Sequence, residues 1–92
     1  MARFINIGFG NMVNADKVVV VVRPDAAPVK RMVQAAKENG RIIDATQGRR
    51  TKAVLMTEES FVILSALQPD TIGRRIQSDD KTNLEARGDL DE

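Results

Sequence analysis

The sequence predicts an α+β domain with a mainly antiparallel five-stranded sheet and two helices, in the order β-β-α-β-β-β-α. Three observations support this prediction. The run Val18–Val22 contains only valine, a β-branched residue that favours strands. Val29, Met32, Val33 and Ala36 follow the spacing of a buried stripe on a helix. The length of 92 residues is enough for one domain.

The first half of the chain is predicted to form two strands and a helix. The first strand covers the apolar residues from Phe4 to Phe9, and its end is marked by Gly8 and Gly10. A turn at 14–17 leads into the valine strand, which ends at Pro24.

The predicted helix follows Pro24 directly. Asp25 is expected to cap it, Pro28 falls in its first turn, and Gly40 is the expected C′ residue.

The second half is predicted to form three strands and a short helix. The strands cover 41–46, 51–57 and 61–67. Between the first two, the letters QGRR predict a hairpin turn with Gly48 in a left-handed conformation. The helix begins near Asp70, and Arg74 and Arg75 fall in its last turn, where the helix dipole favours positive charge.

Two of the predicted strands, 18–22 and 61–64, are apolar on both faces. An antiparallel sheet with one wet face shows alternation instead. Because one helix covers one face, we expect neighbouring subunits of a homo-oligomer to cover the other. The alternative is a folded-over, two-layer sheet that buries both faces within one chain.

From the composition of the chain, we do not expect the protein to be an enzyme. The chain has no cysteine and no histidine, so the usual zinc sites and the common nucleophile relays are absent, and no metal or cofactor is expected. The adjacent acids Glu58 and Glu59 fit a solvated turn, and the glycines around Phe9 match no phosphate-binding loop. No small-molecule substrate is expected.

No apolar run is long enough to span a bilayer, and the first residues lack the long apolar core of a signal peptide. A cytoplasmic location without membrane contact is therefore expected.

The charge of the chain is unevenly distributed. Residues 77–92 hold six acidic and two basic residues, whereas residues 1–76 hold twelve basic and seven acidic ones. The sequence thus predicts a basic domain over 1–76, with net charge +5, and an acidic, disordered tail over 77–92, with net charge −4. An alternative role for the tail is competition with an anionic ligand for the basic domain.

The basic residues of the domain predict nucleic-acid binding. Arg49, Arg50 and Lys52 lie on the predicted 46–52 hairpin, and Lys17 lies in the turn before the valine strand. Arginine forks reach phosphates, and a two-stranded ribbon can enter a duplex groove. With three phenylalanines and no tyrosine or tryptophan, the chain suits duplex backbones better than single strands. Further basic residues flank the helix start, namely Arg23, Lys30 and Arg31.

Two alternatives stay open from the residues alone. The same charges fit an RNA-binding module, which the shortage of aromatic residues disfavours. They also fit an oligomeric structural protein whose basic hairpin meets an acidic protein partner.

Three stretches of the sequence resemble the RemA family of bacterial regulators of extracellular-matrix genes. They are FINIGFGN near the start, AAPVKRMVQAAKENGRIIDATQGRRTKAV in the middle, and VILSALQPDT near the end. The resemblance covers residues 3 to about 76 and leaves out the acidic tail.

The resemblance implies a DNA-binding transcriptional activator of biofilm matrix genes that forms ring-like homo-oligomers around which duplex DNA wraps. It implies that Arg49 and Arg50 contact the DNA. It gives a similar role to Lys17, where family members carry arginine; lysine keeps the charge and loses the bidentate fork. Gln47 stands where the family often has an aromatic residue.

Overall fold

The computed structural model describes residues 3–78, which contain six strands and two α-helices. A single 3₁₀ turn, Ala15–Lys17, connects β2 to β3. The strands are β1 Phe4–Asn6, β2 Met12–Asn14, β3 Val18–Val22, β4 Ile42–Asp44, β5 Ala53–Thr57 and β6 Val62–Ser65, and the helices are α1 Ala27–Glu38 and α2 Pro69–Gln77. The predicted acidic tail lies outside the described residues from position 79 onward.

The α+β class is confirmed, but the prediction of one five-stranded sheet is wrong. The strands form two sheets, a two-stranded β1–β2 hairpin and a four-stranded sheet in the order β3-β5-β6-β4. The predicted first strand, 4–9, ends at Asn6 instead, and an unpredicted strand, β2, follows it after a turn in which Phe9 and Gly10 both have positive φ. The Asn11 N–H donates to the Gly8 carbonyl at 3.0 Å and closes this turn.

The predicted hairpin between β4 and β5 is also wrong. β4 pairs in parallel with β6, and β6 separates β4 from β5 in the sheet. Residues 45–52 are therefore a connection that passes over the end of β6. The turn residues predict hairpin geometry locally, but the pairing of β4 depends on distant contacts.

The α1 side of the four-stranded sheet confirms the predicted helical stripe. Val29, Met32, Val33 and Ala36 pack against Val54, Val62 and their neighbours. The start of α1 differs from the prediction, because Ala26 occupies the N-cap position without a side-chain hydrogen bond and Asp25 lies one residue too early. Pro28 in the first turn and Gly40 with φ of +71° after the C-cap residue Asn39 agree with the prediction.

The second face of the four-stranded sheet is covered by the chain itself. Ile5 and Val13 from the β1–β2 hairpin and Ile72 from α2 pack on Leu55 and Ile63. This arrangement is the alternative of a two-layer fold within one chain, so the expectation that a neighbouring subunit must cover this face is wrong. Full burial of a leucine or isoleucine stabilises a fold by about 1.5–3 kcal/mol, so a small chain gains most by burying both faces.

Candidate nucleic-acid interface

The basic loop, residues 45–52, is anchored at both ends to the last residues of β6. The Ala45 N–H donates to the Leu64 carbonyl, and the Lys52 N–H donates to the Ser65 carbonyl, each at 2.9 Å. Ala45 is buried, whereas residues 47–50 are exposed. The loop therefore has a fixed base and presents its central residues to solvent.

A tight turn shapes the exposed part of the basic loop. The Arg49 N–H donates to the Thr46 carbonyl at 3.0 Å. Gln47 and Gly48 between them have φ of +55° and +80°, the pattern of a type I′ turn. The predicted left-handed Gly48 is thus confirmed. A non-glycine residue such as Gln47 adopts this conformation at some cost, so the surrounding contacts must hold the turn in place.

Asp44 and Thr46 supply one of these contacts at the start of the basic loop. The Asp44 Oδ1 atom accepts from the Thr46 hydroxyl at 2.6 Å and from the Thr46 N–H at 2.9 Å. These hydrogen bonds favour the ionised carboxylate and lower the pKa of Asp44 below its ordinary value. Thr46 is buried, so its hydrogen bonds with Asp44 stabilise the base of the turn.

The tip of the β1–β2 hairpin supports the basic loop from the side. The Arg49 guanidinium carbon lies 5.7 Å from the centre of the Phe9 ring, within the range of a cation–π contact. The Asn11 side-chain amide donates to the Gly8 carbonyl at 3.0 Å and to the Ala45 carbonyl at 3.4 Å. Two turns that are distant in sequence therefore meet, and the ring of Phe9 restricts where the Arg49 side chain can point.

Arg50 and Lys52 border a cleft on the other side of the basic loop. The pairing of Val22 with Val54 brings the residues after β3 beside those before β5, so Arg23 joins them. The cleft has a volume of about 300 Å³. We call it the Arg23 cleft; its lining residues are Arg23, Pro24, Asp25, Arg50, Thr51, Lys52 and Gln68.

The structure separates Lys17 from the other three predicted site residues. Val18 pairs with Thr57 at one end of the β3–β5 pair, and Val22 pairs with Val54 at the other. Four residues of strand span about 13 Å. The Lys17 ammonium group lies 3.6 Å from a Glu58 carboxylate oxygen. Within one chain, Lys17 is therefore remote from Arg50 and Lys52 and has an acidic partner.

Several other arginines are bound to backbone carbonyls of the same chain. Arg3 donates to the Ile76 carbonyl at 2.6 Å, and Arg75 donates to the Asn6 carbonyl at 2.7 Å. Arg41 donates to the Glu59 carbonyl at 3.0 Å and lies over the Phe61 ring. These arginines connect elements of the fold, which distinguishes them from the cations of the basic loop.

The site predicted from the sequence leaves out Arg23 and Phe9. Arg23 was assigned only to the start of α1, and its approach to Arg50 follows from the β3–β5 register. Phe9 stands at the end of the predicted first strand, and its approach to Arg49 follows from the β1–β2 turn. The adjacent Gly8 and Gly10, a sign of a turn, are the signal that could have placed Phe9 at an exposed tip.

Other kinds of site find no support in residues 3–78. That part of the chain contains no group of three or more side chains suited to hold a metal ion. Neither of its two helices is long and apolar enough to cross a membrane.

Comparison with known proteins supports a regulatory role for this protein. Residues 4–76 match the family described as RemA-like, extracellular matrix regulatory protein A-like. The chain belongs to the RemA-like family.

Relatives that are about 50% identical in sequence align with most of the chain. A protein of Geobacillus thermodenitrificans is 51% identical over 80 residues, which are 87% of this chain and 92% of the relative. One of Clostridium novyi is 51% identical over 83 residues, 90% of this chain and 92% of the relative. One of Alkaliphilus metalliredigens is 48% identical over 90 residues, 97% of each. All three bear the name "putative regulatory protein".

Proposed function

We propose that this protein is a cytoplasmic transcriptional regulator that binds duplex DNA and activates extracellular-matrix, or biofilm, genes. The observation that carries the proposal is the basic loop, which presents Arg49 and Arg50 on a turn whose base is fixed by hydrogen bonds to β6. Within residues 3–78, no acidic side chain lies within ion-pair distance of either arginine. Family membership supports a regulatory role, and the proposal includes no catalytic role.

The chemistry of the basic loop suits the phosphate backbone. An arginine fork donates two parallel hydrogen bonds to a phosphate, and such charge-assisted bonds are stronger than neutral ones. A fixed loop loses little conformational freedom when it binds. Lys52 and, at the other end of the sheet, Lys17 complete the set of proposed DNA contacts. The basic loop carries no aromatic ring of its own, and the exposed Phe9 beside it is already in contact with Arg49, so stacking on several unpaired bases has little support.

Self-association into a homo-oligomeric ring is the second part of the proposal. Within residues 3–78, five large apolar side chains are exposed, namely Phe4, Phe9, Met12, Val19 and Ile43. Val19 and Ile43 belong to β3 and β4, the two edge strands of the four-stranded sheet, and strand edges are common sites of association. In a ring, repeated copies of the basic loop would bind one duplex with a high effective concentration.

Duplex affinity measured across a salt series tests the proposal. We expect tight binding whose logarithm falls steeply with the logarithm of salt, since each neutralised phosphate contributes a slope of about −0.9. Single-stranded RNA of equal length should compete poorly, and light scattering should give a multiple of the chain mass. Preferential binding of the RNA would favour an RNA-binding module. Little affinity for either nucleic acid at physiological salt would favour a structural protein with an acidic partner.

A further inference from the structure

The Arg23 cleft is built from three separate parts of the chain. Arg23 follows β3, Arg50 and Lys52 precede β5, and Gln68 is the residue before α2. Lys52 is fixed through its backbone by the hydrogen bond to Ser65 at 2.9 Å, and Arg23 directly follows the paired residue Val22. The backbone on both sides of the cleft therefore adjoins the sheet, with Arg23 one residue after β3 and Lys52 one residue before β5.

The charges at the Arg23 cleft are unbalanced. Three cationic side chains line it, and Asp25 is the single carboxylate among its lining residues. Within residues 3–78, none of the three cations forms an ion pair, whereas Lys17 pairs with Glu58. Like charges that folding brings together repel each other, and a bound anion would relieve this repulsion.

The donors around the cleft match a phosphate group. Arg23 and Arg50 each offer a planar fork of N–H donors, and Lys52 offers a compact charge. Thr51 and Gln68 add neutral hydroxyl and amide donors. We infer that the Arg23 cleft binds a phosphate group, and that in the DNA complex this is a backbone phosphodiester. This inference rests on the proposed function and makes Arg23 a DNA contact on the opposite side of the cleft from the basic loop.

The test compares Arg23→Ala with Arg31→Ala in the full chain. Arg31 is exposed on α1 and does not line the cleft, so it controls for the loss of one positive charge. We expect Arg23→Ala to weaken duplex binding several-fold and to reduce the salt slope by about 0.9 for each contacting subunit. Arg31→Ala should leave the slope unchanged. Arg23→Lys should give an intermediate affinity, because lysine keeps the charge and loses the fork.

A second measurement examines the phosphate site without DNA. Thermal unfolding is followed in inorganic phosphate and in chloride at equal ionic strength. Since a ligand that binds only the folded state raises the melting temperature, we expect phosphate to stabilise the wild type and Arg31→Ala more than chloride does. This difference should disappear in Arg23→Ala. Light scattering must show the same mass for all variants, so that a change in assembly is not taken for a change in binding.

The outcomes separate the inference from the proposed function. Equal effects of Arg23→Ala and Arg31→Ala on DNA binding would overturn the inference while leaving the proposed function intact. Phosphate stabilisation that depends on Arg23, together with an unchanged DNA salt slope, would show a site for free phosphate compounds and overturn the DNA assignment. A wild type that does not bind duplex DNA would overturn the proposed function itself. The phosphate measurement would then still show whether the cleft binds this anion.

Discussion

The two ends of the β3–β5 strand pair carry similar basic side chains in different surroundings. At one end, Arg50 and Lys52 lie with Arg23 around a cleft and form no ion pair within the described residues. At the other end, Lys17 lies 3.6 Å from Glu58. A basic residue binds an external anion more readily when the fold leaves it without a competing acidic partner. The comparison therefore ranks the predicted DNA contacts, with the basic loop above Lys17.

The largest difference is expected between Arg50→Ala and Lys17→Ala. Hydrogen bonds to charged groups contribute about 1.5–3 kcal/mol, so loss of Arg50 should weaken duplex binding tenfold or more. Lys17→Ala should have a smaller effect, because Lys17 must give up Glu58 before it binds a phosphate. Fluorescence anisotropy with a labelled duplex measures both variants. An effect of Lys17→Ala as large as that of Arg50→Ala would contradict the ranking of the two ends.

A smaller effect is expected when the support for Arg49 is removed. Phe9→Leu keeps an apolar side chain and removes the cation–π contact with Arg49, which is worth about 0.5–1 kcal/mol at an exposed site. DNA affinity should fall a few-fold, and Phe9→Trp should restore it. Phe4→Leu is the matched control, because Phe4 is also exposed and makes no ring contact with a cation in the described part of the chain.

The introduced tryptophan also supplies a spectroscopic test. The chain has no other tryptophan, so the emission of Phe9→Trp reports the surroundings of this one ring. Adding Arg49→Ala should change that emission in the absence of DNA. An emission spectrum that does not respond to Arg49→Ala would mean that the two side chains are not in contact in solution.

A gain of affinity for duplex DNA is expected when Lys17 no longer pairs with Glu58. Glu58→Gln removes the competing carboxylate and should strengthen duplex binding by a few-fold at low salt. Both side chains are about half exposed, at 52% and 55%, and exposed ion pairs contribute at most about 1 kcal/mol. The melting temperature should therefore change little. Glu59→Gln, one residue further on, controls for the loss of one negative charge, and an equal gain there would show that the pairing is unimportant.

The smallest effect is expected at the base of the basic loop. Thr46→Val removes the hydroxyl that donates to Asp44 and should lower the free energy of unfolding by about 1 kcal/mol near neutral pH. Because the pKa of Asp44 is lowered in the fold, the stabilisation is present above the ordinary value of 3.8 and is lost as the pH falls through the lower folded value. Chemical denaturation of both proteins at pH 7 and near pH 3 measures the difference, which should shrink in acid.

The sequence was sufficient for the local features of the fold. The valine run gave β3, the apolar stripe gave α1, and Gly40 and Gly48 have the predicted positive φ. Each of these features depends on nearby residues alone. The β1–β2 hairpin was missed because its strands have only three residues each, too few to show the alternation that identifies a strand.

The strand pairing and the set of residues that form the site could be identified only from the structure. Consecutive strands pair in most folds, so β4 and β5 were predicted to be neighbours, yet β6 lies between them. The same limitation applies to the site. Arg49 and Arg50 follow from their turn, whereas Arg23 joins them only through the register of β3 with β5. Its charge and the family resemblance likewise grouped Lys17 with residues that lie at the opposite end of the β3–β5 pair.

The most direct test of the central claim is the salt dependence of duplex binding for the wild type and for the Arg49→Ala/Arg50→Ala double variant. Both side chains are exposed and lie outside the two cores, so the fold and the oligomeric mass should be unchanged. We predict a steep slope and strong binding for the wild type, with both much reduced in the double variant. A double variant that binds duplex DNA as well as the wild type, with the same slope, would contradict the claim that the basic loop holds the DNA.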